Sequence, residues 1–155
     1  MKLEIAIKSN KFKNETHKAG LNILYTAWWL KTLTAKELKG FDLTHEQYNV
    51  LRILKGKHPE TMCVKDVASR MIEKSSNVPR IVDRLETKKL IIRKQCTIDG
   101  RQTTITLTPK GITTLEKATI KTDEIWEKTI AITDIDAIAI NNILELVRTK
   151  EEENI

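Results

Sequence analysis

At 155 residues the chain is long enough for one domain with a real core and too short for two comfortable ones. Apolar residues make up 40% and charged residues 31%, the balance of a globular chain, and no apolar run approaches the roughly 18 residues needed to cross a bilayer. The opening Met1–Lys8 stretch breaks after a few apolar residues with no small-residue cleavage site, which argues against a secretory signal. Cys63 and Cys96 lie far apart and form no disulfide framework, so a cytoplasmic location is expected.

Charge is unevenly spread. The net charge is +6 and the pI near 9.3. Residues 1–43 hold eight cations against four carboxylates, residues 44–111 fourteen against seven, and residues 112–155 five against ten. A basic centre and an acidic carboxyl end suggest a middle segment that faces a polyanion and a tail held away from it.

Taken in chain order, residues 16–38 read as a helix, with Leu21, Leu24, Tyr25 and Trp28 at helical spacing and Leu30 and Leu33 widening the stripe. Gly40 and Asp42 break it. Thr44-His-Glu-Gln47 is a capping box and opens a second helix that ends before Gly56 and Pro59. A third fits Val64–Met71, and a fourth runs from Ser75 or Ser76 to about Lys89. The period then changes. Leu90–Cys96 and Thr103–Thr108 are β-rich and flank the polar loop 97–102, a hairpin whose tip projects. Thr108 and Pro109 start a further helix marked by Ile112, Leu115, Thr119, Thr122, Trp126 and Ile130, and Thr133-Asp134 caps a last one. The five glycines read as breaks between elements. The expected fold is mainly α with a small β-hairpin wing, a winged helix-turn-helix flanked by long outer helices.

The fourth helix has two distinct faces. Val78, Ile81, Val82 and Leu85 fall within an arc of about 100°, while Asn77, Arg80, Arg84 and Lys88 share a separate arc of roughly 80°. Arginine reaches guanine bidentately and asparagine reads adenine in a major groove wide enough for a helix. Ser75, Ser76 and Asn77 in the first turn suit phosphate oxygens. Asp83, three residues from Arg80, offers that arginine an intrahelical partner instead. Pro79 stands near the fourth helical position, where a missing N–H costs less than in the interior. On the wing, Lys94 precedes the loop and Arg101 at its tip suits the minor groove, with Asp99 placed to orient the guanidinium.

The runs Leu43–Leu51, Val64-Lys-Asp-Val-Ala68, Ser75–Glu86, Asp99-Gly-Arg101 and Leu107-Thr-Pro-Lys-Gly111 closely resemble the MarR-type regulators, in the same order over nearly the whole chain. The resemblance implies one MarR-like domain over 1–155, with 44–111 as the DNA-binding part and 16–40 and 112–150 as dimerisation helices. It implies a homodimeric repressor of transcription bound to a pseudo-palindromic double-stranded operator. Ser76, Asn77, Arg80 and Arg84 would be the groove contacts and Arg101 the wing contact. Pro79 replaces a common Ser or Thr, and Gln102 stands where a second arginine is frequent. A small-molecule effector pocket, as in the family, would use Tyr25, Trp28 or Trp126. Trp28 and Trp29, about 100° apart on a helix, cannot both face one core, and dimer packing would bury the second.

Other classes find little support. His17, His45 and His58 form no ligand cluster with the cysteines, so no metal site and no cofactor are expected. No nucleophile elbow, phosphate-binding glycine loop or zinc-protease motif appears, which argues against an enzyme. A winged helix used only for protein–protein contact is the alternative, and it would not need Arg80, Arg84 and Arg101 on one surface.

Overall fold

Asn14 opens the first long helix: its side chain accepts a hydrogen bond from the His17 amide at 2.8 Å. The computed structural model describes residues 1–73, 77–95 and 103–149. In chain order these form α1 (Leu3–Ala6), α2 (Glu15–Lys39), α3 (His45–Lys55), β1 (Met62–Cys63), α4 (Val64–Arg70) and α5 (Val78–Thr87). They continue with β2 (Ile91–Gln95), β3 (Thr103–Leu107), α6 (Pro109–Thr129) and α7 (Asp134–Arg148). The chain divides into two units, Met1–Thr122 and Asp123–Ile155. Among the described residues no helix is long and apolar enough to cross a membrane.

In the first unit the core centres on α3, which buries Tyr48, Val50, Leu51 and Leu54. Thr44 and Gln47 form the expected capping box: the Thr44 hydroxyl accepts from the Gln47 amide, and the Gln47 side chain accepts from the Thr44 amide. Val67 of α4, Val82 and Leu85 of α5, Ile91, Ile105 and Leu115 close around α3. The Tyr48 hydroxyl is satisfied inside this core by Thr122 Oγ1 at 2.9 Å and Thr119 Oγ1 at 3.1 Å.

The sheet is antiparallel with order β1-β3-β2. Strands β2 and β3 form the expected hairpin, in register from Ile91 opposite Leu107 to Gln95 opposite Thr103. Alternation places Ile105 and Leu107 inward, which fixes that register. The third strand, β1, is an addition to the sequence reading, because two residues cannot show a period. Cys63, its second residue, also caps α4, its sulfur accepting the Asp66 amide at 3.4 Å. α4 stops at Arg70, and Met71, expected within it, has an extended backbone and lies buried.

Two helix ends close on a left-handed residue other than glycine. After α2 the left-handed residue is Asp42 (φ 55°), not Gly40, and the Leu43 amide returns to the Leu38 carbonyl. After α5, Lys89 adopts φ 60° while the amides of Leu90 and Lys89 return to the carbonyls of Leu85 and Glu86. This is a Schellman closure with a lysine where glycine is usual, and buried Leu85 and Leu90 form its apolar pair. Gly111 is not a break at all. It lies inside α6, where an added Cβ would stand 2.0 Å from the Leu90 carbonyl oxygen.

In the second unit, Thr133 and Asp136 make a reciprocal capping box for α7. α7 buries none of its residues: Ile135, Ile138, Ile143, Leu146 and Val147 are all exposed.

Candidate nucleic-acid interface

α5 takes its position from its apolar face. Val78, Ile81, Val82 and Leu85 are buried, which turns Asn77, Arg80 and Arg84 outward. α5 runs from Val78 with Asn77 at its N-cap position, and this changes the reading of Pro79. It occupies the second helical position, where the N–H has no intrahelical partner to lose. The start carries no side-chain cap from Asn77.

Arg80 and Arg84 lie one turn apart on the exposed face and make no ion pair with any described residue. Asp83, a candidate partner for Arg80, instead binds Arg93 of β2. Glu86 Oε2 adds a second carboxylate 3.0 Å from Arg93 Nε, close enough for an ion pair although misaligned for a hydrogen bond. Two carboxylates of α5 are thus drawn onto the wing, away from the two outward arginines. The wing and helix are clamped together by the same contacts.

Lys88 leaves the basic face assigned to it from the helical wheel. It caps the C-terminus of α5, and its ammonium turns to the Asp42 carbonyl, the Asp42 carboxylate at 3.2 Å and Gln47 Oε1 at 3.1 Å. Its part is to join α5 to α3 and the preceding turn. Lys94 is exposed on β2 opposite Thr104, whose hydroxyl donates to the Lys94 carbonyl at 3.1 Å. Ser75, Ser76, Asp99 and Arg101 lie outside the described residues.

The outward face of α5 borders a cleft of about 340 Å³ shared with the start of α3 and with Glu73. Thr44, Glu46, Gln47, Glu73, Asn77, Arg80, Ile81 and Arg84 line it. Lys31 of α2 reaches both acidic residues, Glu73 at 2.6 Å and Glu46 at 3.7 Å. The Glu73 hydrogen bond holds the Lys31 ammonium above its ordinary pKa against the opposing effect of burial. Burial would raise the Glu46 carboxyl, but the Thr44 hydroxyl, its own backbone amide, Lys31 and His45 outweigh it and hold the carboxyl low. Just after α4, the Ile72 amide donates to Asn49 Oδ1 of α3 at 3.1 Å. None of these long-range partners has a signature in local sequence.

The aromatic residues considered for an effector fall in different units. Tyr25 and Trp28 on α2 are neighbours, with ring centroids 5.6 Å apart and planes tilted by 48°, and Trp28 is 58% exposed. Trp29 is also exposed. Trp126 belongs to the second unit and is exposed there. Among the described residues no group of three or more His, Cys, Asp or Glu could hold a metal ion.

A helix-turn-helix made by α4 and α5, followed by a β2–β3 wing, defines a winged-helix transcriptional regulator of the MarR type, mainly helical with a small antiparallel sheet. The transcriptional regulator SarA/Rot family matches residues 32–118, more than half of the chain, and the chain belongs to that family. Among solved structures, a MarR transcription factor from Planctomyces limnophilus is 26% identical with a TM-score of 0.67, over 91% of this chain and 98% of the other. AbsC, a MarR family transcriptional regulator from Streptomyces coelicolor, is 20% identical with a TM-score of 0.79, over 93% and 99%. A mutant of MepR from S. aureus, bound to an oligodeoxyribonucleotide, is 22% identical with a TM-score of 0.57, over 85% and 96%. No curated protein sequence matches the chain.

Proposed function

We propose that the chain is a cytoplasmic, homodimeric repressor that binds a pseudo-palindromic double-stranded operator and reads it with α5. The observation that carries this reading is the pair Arg80 and Arg84. Both are exposed on a helix whose opposite face is buried, and neither has an ion-pair partner among the described residues. A guanidinium held outward on a groove-sized helix is the commonest device for reading guanine. Asn77 at the start of α5 and Lys94 on the wing strand are exposed and supply further base or phosphate contacts. In the same reading Ser75 and Ser76 contact the backbone, and Arg101, oriented by Asp99, enters the minor groove.

The apolar surface of the outer helices supports a second copy. α7 exposes a run of large aliphatic side chains, with Ile135 at 80% and Leu146 at 72%. Monomeric proteins rarely leave so continuous an apolar face in water. Two copies would present two α5 helices to successive major grooves, which is the geometry a pseudo-palindrome requires. Tyr25 and the exposed Trp28 ring offer an aromatic surface on which an apolar effector would release the repressor.

Fluorescence anisotropy with duplex fragments selected from the native genome tests the proposal. Binding should weaken by about a thousandfold or more between roughly 50 and 200 mM salt if six or more phosphates are contacted. Sedimentation at micromolar concentration should give a dimer. Absence of salt-sensitive duplex binding would defeat the DNA reading, and a monomer would defeat the dimer.

A further inference from the structure

The surface that presents Arg80 and Arg84 has an electrostatic problem. The same cleft is lined by two carboxylates, Glu46 at the start of α3 and Glu73 just before α5. A carboxylate left free there would compete with DNA for the arginines or repel the incoming phosphates. Lys31 answers to both, its ammonium 2.6 Å from Glu73 and 3.7 Å from Glu46. The competing acids on α5 itself, Asp83 and Glu86, are occupied separately by Arg93.

We infer that Lys31, on α2 and outside the helix-turn-helix, is a positioning residue for DNA recognition that holds Glu73 and Glu46 away from Arg80 and Arg84. It touches no DNA in this scheme. Its ammonium keeps Glu73 from pairing with the reading arginines, so loss of the ammonium turns Glu73 into an internal competitor for the operator. The cost of that competition is electrostatic and exposed to solvent, and it therefore fades as salt rises.

This inference rests on the DNA-reading proposal, and the test separates the two. Full-length wild type, Lys31→Ala, Lys31→Arg and Lys31→Ala combined with Glu73→Gln are titrated onto one selected duplex by anisotropy at low and high salt. Lys31→Ala should bind about three- to tenfold more weakly at low salt, with the difference shrinking at high salt. Lys31→Arg should bind as wild type does. Glu73→Gln in the Lys31→Ala background should restore affinity, because it removes the competitor without replacing the cation. Wild-type affinity in Lys31→Ala, or a loss that Glu73→Gln does not restore, would overturn the inference while leaving DNA recognition intact. Failure of the wild type itself to bind duplex would overturn both.

Discussion

Replacing Gly111 by alanine should damage the junction between the wing and α6, although the site is helical and alanine is the better helix former. A Cβ added at Gly111 would lie 2.0 Å from the Leu90 carbonyl oxygen and 2.9 Å from its carbonyl carbon. Both are backbone atoms, so no side chain can swing aside. That oxygen also accepts the Thr108 amide at 3.1 Å, and the Thr108 hydroxyl in turn caps the Gly111 amide at 2.9 Å. Relieving the clash means moving Leu90, whose turn already contains left-handed Lys89. Overpacking costs about 1–3 kcal/mol and a lost backbone hydrogen bond about 1 kcal/mol more. A loss near 3 kcal/mol corresponds to a Tm drop of roughly 6–12 °C for a chain of this size. Gly56→Ala serves as the comparison: φ is −64° and the nearest atom to a new Cβ is at 3.5 Å, so its effect should stay within about 1 kcal/mol and be stabilising. Urea and thermal unfolding of the two variants would decide. Equal stability of Gly111→Ala and wild type would refute the close-approach argument.

Other consequences follow from particular contacts. Tyr48→Phe should cost about 1–2 kcal/mol in urea unfolding, because it strips the buried Thr122 hydroxyl and the half-buried Thr119 hydroxyl of a shared partner without opening a cavity. Thr133→Ala removes the cap that receives the Asp136 amide, and should lower the helicity of α7 by circular dichroism with a stability loss of about 1 kcal/mol. The Glu46 carboxyl is held below its ordinary pKa in the folded chain, so its contribution to stability is complete above the ordinary value of 4.5 and is lost as pH falls through the lower folded value. Glu46→Gln should accordingly flatten the acid limb of the stability–pH profile measured by urea unfolding, and an unchanged limb would exclude that role.

Elements whose information is local were legible in the sequence. The capping box at Thr44, the cap at Thr133, the hairpin alternation and the amphipathic face of α5 each rest on residues within a few positions of one another, and each appears as expected. Features that depend on distant partners were not. β1 exists because β3 offers Ile105 and Thr104 as pairing residues, and two residues alone carry no period. Lys88 shares a helical arc with Arg80 and Arg84, yet Asp42 and Gln47, more than forty residues earlier, draw it inward. Asp83 is spaced to bind Arg80, but Arg93 on the neighbouring strand, held also by Glu86, takes it. Gly111 owes its identity to a carbonyl 21 positions away. The proposed reading face therefore narrows to Asn77, Arg80 and Arg84 among the described residues, with Lys31 as the proposed positioning residue.

The central claim is that Arg80 and Arg84 read the operator, and a paired titration tests it most directly. Wild type, Arg80→Ala, Arg84→Ala and the double variant are measured by anisotropy against a selected operator and a scrambled duplex at several salt concentrations. The account predicts that each single substitution costs about 1–3 kcal/mol on the operator and less on the scrambled duplex, so the ratio between them falls. Unchanged operator affinity in the doubly substituted chain would contradict it.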